Sequence, residues 1–189
     1  MKKWMYILLL LTFVLSACNS QATEKKSDIK GIEDISLKQL SKHKNTYLGD
    51  NSAIREILSD LPGSVIREFE IIDGKTLDVT YGVKENAGYT EEQFDAFWFD
   101  QKDTIEKMYL YNAIALSILV DNVEQVTLKM NFNDEPSVTF KRKQLEKKLP
   151  HSFKKYKDDT VLWQKELVDG IVKSKEKRQD VYKAFPMQK

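Results

Sequence analysis

The sequence predicts an α+β fold: an antiparallel sheet from two hairpins, a buried central helix, and additional flanking helices in a two-layer arrangement. Three features carry this expectation. Asp73-Gly74 separates two strand-like runs, residues 65–72 and 75–83, and the pair suits the positive φ angles of a two-residue turn. A second alternating run places Val126, Leu128, Met130 and Phe132 on one face and Thr127, Lys129 and Asn131 on the other, before residues 133–136 turn the chain into Val138 and Phe140. Between the hairpins, residues 103–120 set Ile105, Met108, Tyr109, Asn112, Leu116 and Leu119 at helical spacing.

Taken in order, the elements begin with a segment that is not part of the fold. Lys2 and Lys3 precede an apolar run over residues 4–15, which leads into Leu15-Ser16-Ala17-Cys18. A basic start, a short apolar stretch and small residues before a cut site are the layout of an export signal. Residues 4–17 reach roughly 21 Å as a helix, short of the ~30 Å hydrocarbon core, so they do not form a span. The string Leu-Ser-Ala-Cys resembles the lipobox of bacterial lipoproteins. That resemblance implies cleavage before Cys18 and a palmitate-type diacylglyceryl anchor on its thiol, which would hold the protein on the outer, extracytoplasmic face of the cell membrane. Two acyl chains hold far more firmly than one. Cys18 is the chain's one cysteine, so the mature protein is expected to have no thiol left for disulfides or nucleophilic chemistry.

The expected organisation is a lipoprotein signal peptide over residues 1–17, the lipidated cysteine and a flexible tether over 18–36, and a single α+β domain with a basic C-terminal helical region over 37–189. The tether is read from a polar stretch nearly free of large apolar residues, with a random-coil reach of roughly 20 to 25 Å. In the domain, Asp50, Asn51 or Ser52 caps a short helix over 53–60, which Leu61-Pro62-Gly63 ends. The central helix is apolar nearly all round from residue 108 to 120 and is therefore expected to be covered on more than one side; at ~20 Å it is too short to cross a membrane. After the second hairpin, residues 143–149 read as a helix stopped by Pro150. Asp158 or Asp159 then caps a longer helix carrying Trp163, Leu167 and Ile171.

The net charge of +1 conceals an asymmetry. Residues 18–140 carry about −9 and residues 141–189 about +8. The basic third reads either as a docking surface for anionic lipid or wall polymer, at ~1 kcal/mol per basic residue near a charged surface, or as a solvated face complementing the acidic body. An exported protein is not expected to meet nucleic acid.

The segment Lys44-Asn45-Thr46-Tyr47-Leu48-Gly49-Asp50-Asn51-Ser52 carries a further resemblance, together with Leu61-Pro62-Gly63, the helix from Leu110 to Asn122, the strand over 123–132 and Leu145-Glu146-Lys147-Lys148-Leu149. In this order the motifs resemble the family catalogued as domain of unknown function 4825, over roughly residues 40–170. The resemblance implies an extracytoplasmic domain of Gram-positive bacteria, found in lipoproteins or in the outer portion of membrane-bound regulatory proteins. The family has no assigned activity, so it supplies no catalytic residue.

Catalytic signatures are absent from the sequence: there is no His-Glu-x-x-His, no Gly-x-Ser-x-Gly and no phosphate loop. Ser41-Lys42-His43-Lys44 fits the Ser-x-x-Lys pattern of penicillin-recognising enzymes, but residues 27–30, 152–155 and 174–177 fit it equally, as chance allows in a lysine-rich chain. His43 and His151 are the only histidines and read as surface residues; no metal or cofactor is expected. Two groups of residues are candidate binding sites. Tyr47, Asp50, Asn51 and Ser52 can form a small polar recognition site beside a helix N-terminus, or can simply cap it, with Tyr47 packed beneath the turn. Phe97 and Trp98, within the cluster of Phe94, Phe97, Trp98 and Phe99, can present a stacking platform for wall sugars or a peptide, or can be ordinary packing. The expected function is a non-enzymatic binding or sensing module that contacts an envelope protein, peptide or wall component. The alternatives are an envelope enzyme using Tyr47, Asp50 and Asn51, and a structural domain docked on anionic lipid or wall polymer.

Overall fold

The computed structural model describes residues 29–85, 88–100, 103–132 and 136–188. Cys18 and the expected signal peptide lie outside them. Among the described residues, no helix is long and apolar enough to cross a membrane.

The fold is a four-stranded sheet with helices on one face. Its helices are α1 (Leu37–Leu40), α2 (Asn51–Asp60), α3 (Glu91–Trp98), α4 (Thr104–Leu119), α5 (Arg142–Glu146), α6 (Phe153–Asp158), α7 (Thr160–Leu162), which runs on as a π-helix over Trp163–Val172, and α8 (Lys175–Tyr182). The strands β1 (Ile66–Ile72), β2 (Thr76–Tyr81), β3 (Gln125–Met130) and β4 (Ser137–Lys141) lie in sequence order across the sheet. Both hairpins form where the alternation predicts, but Ile72 pairs with Thr76, so the first turn holds three residues, 73–75, and not two. Asp73 and Gly74 both take positive φ, 51° and 65°, the geometry whose twist matches the flanking strands. Leu77, Val79, Tyr81, Val126, Leu128, Met130, Val138 and Phe140 point into the core. The other face is polar, with Lys129 paired to Asp78 at 2.6 Å and the hydroxyls of Thr127 and Thr139 3.2 Å apart.

The expectation of an antiparallel sheet holds inside each hairpin and is corrected at the seam between them. There β2 and β3 run parallel, from Thr76 beside Gln125 to Tyr81 beside Met130. The cause is the connection: α3 and α4 carry the chain back along the sheet, so β3 restarts at the end where β2 began. The sheet thus has a turn end, which holds Asp73-Gly74 and residues 121–124, and an opposite end, which holds Gly63, Val65 and Gly82.

Helix α4 is the buried centre, every residue from Met108 to Leu119 being out of contact with solvent or nearly so. Its one interior amide, Asn112, donates from Nδ2 to Pro62 O at 3.1 Å and to Tyr81 Oη at 2.8 Å. Asp50 caps α2 by accepting the Ala53 N–H at 3.0 Å, and Asp159 caps α7 by accepting the Leu162 N–H at 2.9 Å. Beyond α7, Trp163, Leu167 and Ile171 pack into the core as expected, although the winding is π rather than α.

Helix α3 is not foreseen by the periodicity. Its signal is a capping box: Thr90 Oγ1 accepts the Gln93 N–H at 3.2 Å while Gln93 Oε1 accepts the Thr90 N–H at 2.9 Å. The tether expectation for 18–36 is corrected in its last eight positions. Ile29 is buried, Lys30 O accepts the Gly63 N–H at 2.8 Å, and Ile32 and Ile35 pack on the core. Three isoleucines at three-residue spacing are enough to dock this stretch.

The basic C-terminal third is bonded to the acidic body. Lys157 pairs with Asp121, Lys173 with Glu33 at 2.8 Å, and Lys175 with Asp103 at 3.6 Å. Arg178 is 2% exposed and reaches Asp103 at 2.9 Å, Glu106 at 3.2 Å and Val172 O at 2.8 Å. Complementing the body is therefore one role this region fulfils.

Candidate functional site

At the turn end of the sheet an open groove of 830 Å³ is lined by three stretches of chain: the β1–β2 turn with the start of β2 (73–76), the loop from α4 into β3 (121–125), and the join of β4 to α5 (141–144). Each stretch is there for a local reason. The turn exists because Asp73 and Gly74 accept positive φ. The 121–124 loop begins where α4 runs out at Val120, which turns extended. The third stretch is where β4 hands directly over to α5 at Lys141 and Arg142.

One side chain ties two of these stretches to a fourth segment. Asn122 Oδ1 accepts the Leu48 N–H at 2.8 Å, and its Nδ2 donates to Gly74 O at 3.1 Å. The main chain reinforces this, with Thr46 N–H donating to Leu119 O at 3.1 Å and Asp121 N–H to Thr46 O at 2.8 Å. Arg142 secures the third stretch by donating from Nε to Ser117 O at 3.1 Å and lying 5.4 Å over the Phe153 ring.

The charges divide into engaged and spare. Lys75 Nζ bonds Glu124 Oε1 at 2.9 Å in the open. That hydrogen bond, and secondarily the charge behind it, raises the lysine's pKa and lowers the glutamate's. Asp121 is taken by Lys157, which also reaches Asn45 Oδ1 at 3.4 Å. Among the described residues, the exposed ammonium groups of Lys141 and Lys143 form no ion pair. Asp73, also exposed, forms none either, and the charge of Lys143 helps to lower the pKa of Glu124, so the groove carries unpaired groups of both signs over a lattice of fixed backbone. An arrangement of this kind can hold the charged groups of a polar ligand.

The residues singled out from the sequence fall elsewhere. Asp50 is a cap, as its hydrogen bond to Ala53 shows, while Asn51 and Ser52 are exposed. Tyr47 does not pack beneath the turn: it is 56% exposed, because the neighbouring Leu48 takes the buried position. None of these four lines the groove, although the segment holding them is bonded to its Asn122. Trp98 is not a surface platform. It is 1% exposed, with ring centroids of Tyr81 at 5.0 Å, Phe97 at 5.6 Å and Tyr109 at 6.1 Å. Phe97 is half-buried against it. Four aromatics in six residues are absorbed because α3 faces both α4 and the end of the sheet, where Phe94 and Phe99 meet Phe132.

The histidines are half-buried partners of carboxylates rather than free surface groups: His43 lies 3.0 Å from Asp60 and His151 lies 3.7 Å from Glu166. Among the described residues no group of three or more His, Cys, Asp or Glu is placed to hold a metal. A second groove, of 740 Å³, lies between the end of α5, the π-helix and α8, with Leu149, Pro150, Ile171 and Val181 in its lining.

The groove at the turn end is legible in the sequence only in part. Asp121-Asn122 belongs to the motifs noted there, but Lys75, Lys141 and Lys143 have no signal beyond charge.

A family model described as domain of unknown function (DUF4825) matches residues 40–143. That span holds all of the first groove's lining except Gln144 and none of the second's. Comparison with curated proteins and with solved structures found no match.

Proposed function

Because the chain belongs to the DUF4825 family, whose matched span holds the turn-end groove, we propose that it is a non-enzymatic binding or sensing module that recognises an envelope ligand there. The observation that carries this reading is the groove's construction. Three chain stretches are fixed by Asn122 and Arg142, while the side chains at the mouth, Lys141 and Lys143, are left without an ion pair among the described residues. A rigid backbone with spare charge is suited to recognition, since little ordering is lost on binding. Cys18 within a lipobox-like string supports placement on the outer face of the membrane, which restricts the ligand to an envelope protein, peptide or wall component.

Photocrosslinking in living cells tests this. A benzoylphenylalanine in place of Gln144, at the groove, should give a discrete crosslinked product. The same residue in place of Val161, 76% exposed and outside the groove, should not. Identical crosslink patterns from the two positions would sink the reading. Labelling with radioactive palmitate that disappears in Cys18→Ser tests the anchor separately.

A further inference from the structure

Strand β1 forms one edge of the sheet and is paired on one side only. Its partner is β2, from Ile66 beside Tyr81 to Ile72 beside Thr76. Among the described residues, no main-chain group of residues 66–71 is bonded on the other side. The opposite edge is met by the C-terminal segment: at β4, Ser137 N–H donates to Gln188 O at 2.9 Å and Gln188 N–H to Ser137 O at 2.8 Å. An edge strand presents alternate N–H and C=O groups that can template another strand, and proteins commonly blunt it with lysine, proline, a bulge or a short length. Strand β1 runs for 7 residues without a lysine or proline. Its bulge lies between Ile66 and Glu68, so Glu68 to Ile72 stay in regular register.

The side chains along this edge divide by face. Phe69 and Ile71, beside the inward Val79 and Leu77, lie on the helix side, half-buried at the margin of the core. There the Arg55 guanidinium of α2 sits 5.3 Å over the Phe69 ring. Glu68, Glu70 and Ile72 lie on the uncovered side, all three exposed, and neither carboxylate forms an ion pair among the described residues. Neighbouring cations are turned elsewhere. Lys129 is held by Asp78 of β2 at 2.6 Å. Arg67, at the bulge, turns back over β2, with Cδ 3.4 Å from where a Gly82 Cβ would stand and Nη1 donating to Val83 O at 3.5 Å. The outer row of the edge is therefore acidic.

Those two glutamates decide what can pair here. A second copy of the chain would add its own β1 antiparallel about a twofold axis. Centred on Glu68, Phe69 or Glu70, that pairing sets a glutamate opposite a glutamate, and like charges directly opposite destabilise a sheet. A strand with lysine or arginine at every second position meets the opposite situation. Its basic side chains face Glu68 and Glu70, and the apolar residues between them point to the other face, where they extend the margin of core formed by Phe69 and Ile71.

We propose that the β1 edge is a second recognition surface, which takes as a fifth strand an extended peptide segment of a partner protein bearing basic residues at alternate positions. Main-chain hydrogen bonds supply the affinity and the glutamates the choice of partner. This goes beyond the groove reading and does not depend on it, since none of residues 66–72 lines the groove.

The test titrates the full-length protein, in neutral detergent, with a labelled Lys-Val-Lys-Val-Lys-Val-Lys peptide and reads fluorescence anisotropy. Affinity should drop about tenfold or more when every amide of the peptide is N-methylated, which removes its main-chain donors and keeps its charge. It should drop by about the same factor in Glu68→Gln/Glu70→Gln, two substitutions at exposed positions that keep the side-chain shape. Hydrogen exchange should slow at residues 66–72 on binding and stay unchanged at residues 137–141. Flat titrations at low salt, unchanged affinity in the double variant, or protection confined to other residues would each overturn the proposal. Equal binding of the methylated peptide would reduce the effect to bulk charge and overturn strand addition. A concentration-dependent dimer in sedimentation, with exchange slowed at residues 66–72, would make the occupant a second copy and overturn the basic partner. The Gln144 crosslink separates the two readings: if it persists in Glu68→Gln/Glu70→Gln, the groove stands whatever the peptide titration gives.

Discussion

Gly63 packs against the benzo ring of Trp98 so closely that a Cβ built on the glycine would stand 2.5 Å from Cζ2 and 2.8 Å from Cη2 of the indole. The glycine also has φ of +67°, a conformation that costs other residues roughly 1–2 kcal/mol. The Leu61-Pro62-Gly63 stop after α2 is therefore also a packing site. The missing side chain is what lets Trp98 sit flush beneath the start of β1.

Gly63→Ala should accordingly destabilise by about 3 kcal/mol, with overpacking and backbone strain adding. Chemical denaturation checks it. A loss under about 0.5 kcal/mol would mean that Trp98 has room to move, contrary to its enclosure by Tyr81, Phe94, Phe97 and Tyr109.

Asn122→Ala removes both bonds that join Leu48 to Gly74 and leaves a peptide N–H and a carbonyl to find water. The expected cost is about 1–3 kcal/mol, with weaker ligand binding at the groove. Asn122→Asp keeps the acceptor for Leu48 N–H but turns a carboxylate oxygen toward Gly74 O, so its stability should also fall below wild type. Wild-type stability in both variants would show that the two bonds contribute nothing.

Arg178→Ala should be the most damaging change in the basic third, at about 3–5 kcal/mol. It strips the buried partner from Asp103 and Glu106 and frees Val172 O. Arg178→Lys should rescue little, since one ammonium cannot meet three acceptors on different elements. By contrast Tyr47→Ala, at an exposed position, should change stability by no more than about 0.5 kcal/mol. Thermal melts of the three variants check the order.

Alkali should unfold the protein cooperatively. Burial pushes the hydroxyls of Tyr81, Tyr109 and Tyr111 well above the ordinary tyrosine range. The unfolded chain releases these protons near pH 10 and the folded chain keeps them, so stability is full below about pH 10 and falls as pH rises beyond it. Phenolate absorbance of these tyrosines should appear together with loss of secondary structure by circular dichroism. Their ionisation ahead of unfolding would contradict the burial.

The sequence by itself determined the local structure, because the causes are local. Alternation fixed the inward face of Leu77, Val79 and Tyr81, positive φ at Asp73-Gly74 closed the first hairpin, and Asp50 and Asp159 capped their helices through amides three residues on. The apolar run around α4 likewise announced a buried centre. What tertiary structure alone decided depends on segments distant in the chain. Parallel pairing of β2 with β3 follows from where α3 and α4 return the chain, and no strand pattern encodes it. Trp98 became core and not platform because Gly63, thirty-five positions away, leaves space for it. The groove exists only where residues near 48, 74, 122 and 142 converge, through hydrogen bonds from Asn122 and Arg142 that span up to 74 positions. Periodicity reports which face of an element is apolar. Which faces meet, and which charges are left over once they have met, is settled by packing.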